Sequence, residues 1–150
     1  MIKDYILLFI ATLSVFCYSQ VTITPYDGIA DLLIQNNIIG NPNFPSFNHI
    51  ASTGMNFSDV NGIGTFSSSN TDLAFDEGIV LTTGNVDDVV GPNTSILSSG
   101  SFGWSGDTAL ESILGYANGS SSNASWLQFD FTAEIDAISL EFMMVSEEYD

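Results

Sequence analysis

Almost all the chemistry this sequence offers is carboxylate chemistry. It carries 18 Asp and Glu against one Lys or Arg, with a single His and a single Cys. His49 sits between Asn48 and Ile50, near Ser46 and Ser52, and no Gly-x-Ser-x-Gly turn occurs in the chain. A nucleophilic triad needs a base held against its nucleophile, so His49 reads as structural. Zinc held by Cys and His is equally poorly supported, since the only cysteine, Cys17, does not survive cleavage of the leader described below. Gly62-Ile63-Gly64 has no Lys after it, so it makes no phosphate cradle. Glu147 and Glu148 are neighbours, and on a strand they point to opposite faces. A glycosidase pair needs two carboxyls about 5–10 Å apart on one bond. One of these glutamates would therefore need a distant partner such as Asp130 or Glu141.

Calcium makes better use of such acids, because it takes about six to eight oxygens from carboxylates, amides and backbone carbonyls. The candidate ligands are Asp72, Asp76 and Glu77; Asp87 and Asp88, with Asn85 and Asn93; and Glu147, Glu148 and Asp150. Acids without basic partners repel one another, and a divalent ion relieves that repulsion. Hydrated surface acids are the alternative reading. Asp59-Val60-Asn61-Gly62 begins like a calcium loop, but Ile63 breaks the alternation of an EF-hand. A second candidate chemistry is sugar stacking. Trp104, Tyr116 and Trp126, with Phe102, flank the Gly- and Ser-rich stretch 98–125. Core packing competes with that role, and Trp104, between Gly103 and Ser105, is the aromatic expected to be exposed.

The elements that must position these residues are those of one domain. The chain has 150 residues, 45% of them hydrophobic and 12% aromatic, including 11 Phe. That suffices for a core and excludes a disordered chain. The formal net charge of −17 repels nucleic acid and anionic lipid. Residues 1–19 read as a secretory signal peptide: Lys3, an apolar run Tyr5–Phe16 too short to span a membrane, and small Cys17 and Ser19 before Gln20. Its removal takes Lys3, Asp4 and Cys17, leaving 17 acids with no Lys, Arg or Cys. The mature domain, 20–150, thus has no disulfide to staple it.

Short strands are expected at Val21–Pro25, Ile50–Phe57, Gly64–Phe66, Gly78–Thr83, Trp126–Thr132 and Ala137–Ser146. A first helix is expected from an Asp27 cap to Ile39, stopped by Gly40. A second is expected from an Asp107 cap to Gly115, with Leu110, Ile113 and Leu114 as its inner face. The turn 133–136 would join the last two strands into a hairpin. The fold class is mainly β: an antiparallel, jelly-roll-like β-sandwich with two short helices.

Three stretches together resemble the choice-of-anchor L domain. They are Gly62-Ile-Gly-Thr-Phe66; Phe75-Asp-Glu-Gly-Ile-Val-Leu-Thr-Thr-Gly-Asn-Val86 with Gly91-Pro-Asn93; and a third set. That set comprises Gly106-Asp107, Leu110, Leu127-Gln-Phe-Asp-Phe131, Phe142 and Ser146-Glu-Glu-Tyr149. The chain departs from the family at Asn123-Ala-Ser-Trp126 and Met143-Met-Val145. The resemblance implies a β-sandwich in exported, cell-surface bacterial proteins of the type IX secretion route. In the family, further strands follow the Ser-Glu-Glu-Tyr motif, so the chain is expected to be an N-terminal portion. The family carries no assigned catalytic activity. Asp107-Thr108-Ala109 also looks like an O-glycosylation acceptor of such bacteria, which makes Thr108 a candidate site.

The expectation is a secreted, non-enzymatic module for adhesion or for binding an extracellular glycan or protein, with calcium as its possible cofactor. It has no nucleic-acid partner and no span in the mature chain. The alternatives are a carbohydrate-active enzyme with paired carboxylates and a purely structural spacer.

Overall fold

In the computed structural model, the residues described are 21–39, 47–54, 60–68, 73–91, 93, 95–132 and 139–146. Strand β1 (Thr22–Pro25) leads to helix α1 (Ala30–Ile34), which widens into a π-helical turn, Gln35–Ile39. Strands β2 (Phe47–Thr53), β3 (Ile63–Ser67) and β4 (Glu77–Leu81) follow. After them come a 3₁₀ turn (Val86–Val89), helix α2 (Thr108–Leu114) and β5 (Trp126–Phe131). The signal-peptide region, 1–20, lies outside the described residues, as does Gly40.

The strands form two antiparallel sheets. One is ordered β1-β3-β4, with Ile23 opposite Phe66 and Thr65 opposite Ile79. The other pairs β2 with β5, its register slipping by a bulge between His49 and Ala51. Helix α1 lies against β2, and the π-helical turn that continues it lies against β4, so this element touches both sheets. Its buried side chains, Ala30, Leu33 and Ile34, join Ile63, Val86 and Trp104 in the core. The architecture is therefore mainly sheet, antiparallel, with two short helices.

Three local expectations are corrected. The first helix starts after Ile29, not Asp27, and its first turn has no side-chain cap. The partner of β5 is β2, not the segment that follows β5, and residues 139–146 form no strand. There, Leu140, Phe142, Met144 and Val145 all stand exposed, so the alternating pattern is not used to bury a face among the described residues. The expected turn at 133–136 lies outside those residues. Finally, α2 is rotated from its expected setting: Leu110, Ile113 and Leu114 face solvent, and Glu111 is buried.

Between the sheets, backbone bonds converge on Asn61 and Gly62. Gly62 N–H donates to the Gly54 carbonyl at 2.7 Å, just past β2, and the Gly62 carbonyl accepts from Thr82 N–H at 2.9 Å, just past β4. Ser125 Oγ donates to the Thr82 carbonyl at 2.7 Å from the approach to β5. Only glycine fits at 62, since a Cβ there would run into the Trp104 ring and the Ser125 hydroxyl. This junction ties the two sheets together and seats the excursion that carries α2.

Candidate functional site

The excursion 101–125 is held by a dense set of polar interactions. Its two ends run together: Ser105 bridges Ser122, Asn123 N–H donates to the Trp104 carbonyl at 2.9 Å, and Ala124 N–H to the Ser105 carbonyl at 3.0 Å. Asn123 takes a left-handed φ of 57°, which asparagine tolerates better than most residues. Trp104 is the anchor. It is 1% exposed, lies over Gly62, and donates Nε1–H to the Ala124 carbonyl at 2.8 Å. The expectation of an exposed Trp104 is overturned: its flanking small residues let the chain turn inward, and its indole N–H finds a partner. It offers no face to a ligand.

Helix α2 begins where expected. Asp107 Oδ1 accepts Leu110 N–H at 2.7 Å, satisfying one of the free amides of the first turn. The helix ends at Gly115, whose φ of 75° is left-handed. Gly115 N–H returns to the Ser112 carbonyl and Tyr116 N–H to the Glu111 carbonyl, the pattern of a Schellman ending.

Glu111 turns inward and gathers the loop that follows. Its Oε2 accepts Gly119 N–H at 2.7 Å; its Oε1 accepts Ser121 N–H and Ser121 Oγ–H, each at 2.6 Å. Ser121 Oγ in turn accepts Asp107 N–H at 3.2 Å, closing a ring from the helix start to the loop. The Ser121 hydroxyl first, then the amides of Ser121 and Gly119, hold the Glu111 carboxyl below its ordinary value of 4.5, against the opposing effect of burial. A carboxylate with three donors is a stable buried anion. Sequence periodicity missed Glu111 because the three aliphatic residues at i, i+3 and i+4 spacing point to another face, about 100° away round the helix. No local signal marks it, because the amides of residues 119 and 121 meet Glu111 only in the folded chain.

With Glu111 inside, α2 presents Leu110, Ile113 and Leu114 to solvent, followed directly by exposed Tyr116. Phe102, just before the helix, is fully exposed as well. Of the other expected aromatic contacts, Trp126 is half-buried at the start of β5. Thr108 is exposed in the first turn of α2. Among the expected calcium ligands, Asp76 and Glu77 are exposed at the start of β4, and Asp87 and Asp88 lie on the 3₁₀ turn. Asn93 Nδ2 donates to the Asp88 carbonyl at 3.4 Å, so that loop closes on itself. Among the described residues, no three Asp, Glu, His or Cys gather as a metal cluster. Asp72, Glu147, Glu148 and Asp150 lie outside them.

The family model of the Choice-of-anchor L domain matches residues 21–150. The chain belongs to that family. The match covers the five strands and two helices of the described residues, and it agrees with the motifs read from the sequence. Membership in a choice-of-anchor family suggests an extracellular or surface module. No curated protein and no solved structure is detectably similar to this choice-of-anchor L chain. No helix among the described residues is long and apolar enough to cross a membrane.

Proposed function

We propose that this choice-of-anchor L chain is a non-enzymatic module of the bacterial cell surface that binds an extracellular glycan or protein, in adhesion or in capture. In this reading the signal peptide 1–19 delivers it to the secretion machinery, and the type IX route carries it outward. One observation carries the binding reading: α2 turns its apolar face, Leu110, Ile113 and Leu114, to solvent, with Tyr116 beside it. Clustered exposed apolar side chains rimmed by polar residues mark contact surfaces. Polar, exposed Thr108 and Ser112 lie on the same helix. An aromatic such as Tyr116 beside polar side chains suits stacking on a sugar or an aromatic peptide.

Two further features belong to the same reading. The mature chain has no Lys or Arg to offset its acids, which supports stabilisation by Ca²⁺ at loops such as the one around Asp87 and Asp88. Thr108 is exposed, so glycosylation there would not disturb the core.

The test is a glycan array and an extracellular-matrix protein array, probed with the folded protein and with Ile113→Asp and Tyr116→Ala variants. The reading expects a selective signal for the wild type that both variants lose while keeping its melting temperature. A selective signal unaffected by both would remove α2 from the contact surface. No signal on either array would favour a structural spacer.

A further inference from the structure

The sequence holds two Asn-Gly pairs, Asn61-Gly62 and Asn118-Gly119. Such pairs are prone to close on themselves: the glycine nitrogen attacks the asparagine side-chain carbonyl, and glycine has no Cβ to hinder the approach. The fold treats the two pairs in opposite ways. At the first, Gly62 N–H is bonded to the Gly54 carbonyl at 2.7 Å and the Asn61 amide to the Tyr26 carbonyl at 3.0 Å. Nucleophile and leaving group are both held in the junction between the sheets.

At the second pair, Asn118 is exposed on a turn closed by Ser120 N–H to the Ala117 carbonyl at 3.1 Å. Gly119 occupies a left-handed φ of 84°, and the space where its Cβ would stand is open. Its N–H points at Glu111 Oε2, 2.7 Å away. A carboxylate on the proton of the attacking nitrogen has the geometry of a general base.

We propose that Asn118-Gly119 is an autocatalytic modification site, with Glu111 as the general base that drives its deamidation. Glu111 Oε2 takes the Gly119 N–H proton as the nitrogen forms a bond to Asn118 Cγ. The Cγ–Nδ2 bond then breaks, and Nδ2 leaves as ammonia with that proton returned from Glu111. The product is a five-membered succinimide between residues 118 and 119. Water opens it at either carbonyl, giving aspartate or isoaspartate. Overall, one water is consumed and one ammonia released, with no oxidant or reductant. The product adds a carboxylate beside Glu111, and the isoaspartyl form lengthens the backbone inside the turn, so modification loosens the loop that Glu111 holds. It would thus act as a slow clock on exported protein.

The experiment is peptide-mapping mass spectrometry on protein incubated at neutral pH, folded and in guanidinium chloride, following the amide-to-acid mass change at both sites. The expected result is faster conversion at Asn118 in the folded protein than in denaturant, with Asn61 unchanged while folded. Folded Glu111→Gln should slow Asn118 by about tenfold, below the usual range for a positioned base because three hydrogen bonds make Glu111 a weak one. If that variant does not fold, the folded-against-denatured comparison in the wild type decides alone. Folded conversion at or below the denatured rate would overturn the proposal, because the turn would then protect the pair. A folded Glu111→Gln protein reacting at the wild-type rate would overturn it too.

Discussion

Trp104 separates a core role from a surface role more sharply than any other residue. Its side chain is 1% exposed, its ring covers Gly62, and its Nε1–H bonds to the Ala124 carbonyl at 2.8 Å. Trp104→Ala removes a fully buried ring and leaves a cavity over the junction of the two sheets, a loss of about 3–5 kcal/mol. Against a total stability of about 5–15 kcal/mol, that is a large share. At roughly 3–5 °C per kcal/mol, the melting temperature should fall by about 9–25 °C. Trp104→Phe keeps most of the ring but orphans the Ala124 carbonyl, so it should cost about 1–3 kcal/mol. Thermal melts followed by circular dichroism, with urea titrations of the same variants, measure both. A Trp104→Ala protein that melts with the wild type would refute the reasoning, since that is how an exposed stacking residue behaves.

Asp107→Ala removes the cap of α2 and should lower stability by about 1 kcal/mol, a shift of a few degrees in a thermal melt. The Glu111 carboxyl is held below 4.5 by the Ser121 hydroxyl and by the Ser121 and Gly119 amides. Its folded value lies under its unfolded one, so its contribution is complete above pH 4.5 and is lost as pH falls through the folded value. Melting temperature plotted against pH should therefore drop on the acid side, and Glu111→Gln should flatten that limb; an equally steep limb in the variant would assign the drop to other acids. Excess Ca²⁺ should raise the melting temperature over chelator at matched ionic strength, and identical midpoints would remove calcium from the account.

The sequence was most informative where local chemistry decides the outcome. Asp107 and Gly115 bracket α2 because a side-chain cap and a left-handed stop are properties of single residues. The cores of the expected strands, Gly64–Phe66 and Trp126–Phe131 among them, are strands in the structure. Pairing partners were not legible. The alternation of residues 137–146 suits a strand beside β5, yet β5 bonds to β2, some 75 residues earlier in the chain. The rotation of α2 was hidden for a related reason. Three aliphatic residues on one face predict a core face, and what overrides them is a cluster of loop amides from residues 119 and 121, which converge on Glu111 only in the folded chain. Glycine and serine beside Trp104 suggest a loop tip, whereas in the fold they allow it to turn inward and be buried.

The binding reading depends on which way α2 faces. Hydroxyl-radical footprinting of the free, folded protein reads that directly, by comparing the oxidation rates of Leu110, Ile113, Leu114, Tyr116 and Trp104. The account predicts rapid labelling of the helix face and of Tyr116, with Trp104 protected despite its higher intrinsic reactivity. Fast labelling at Trp104 with Ile113 and Leu114 protected would contradict it and return the tryptophan to the surface as the candidate contact.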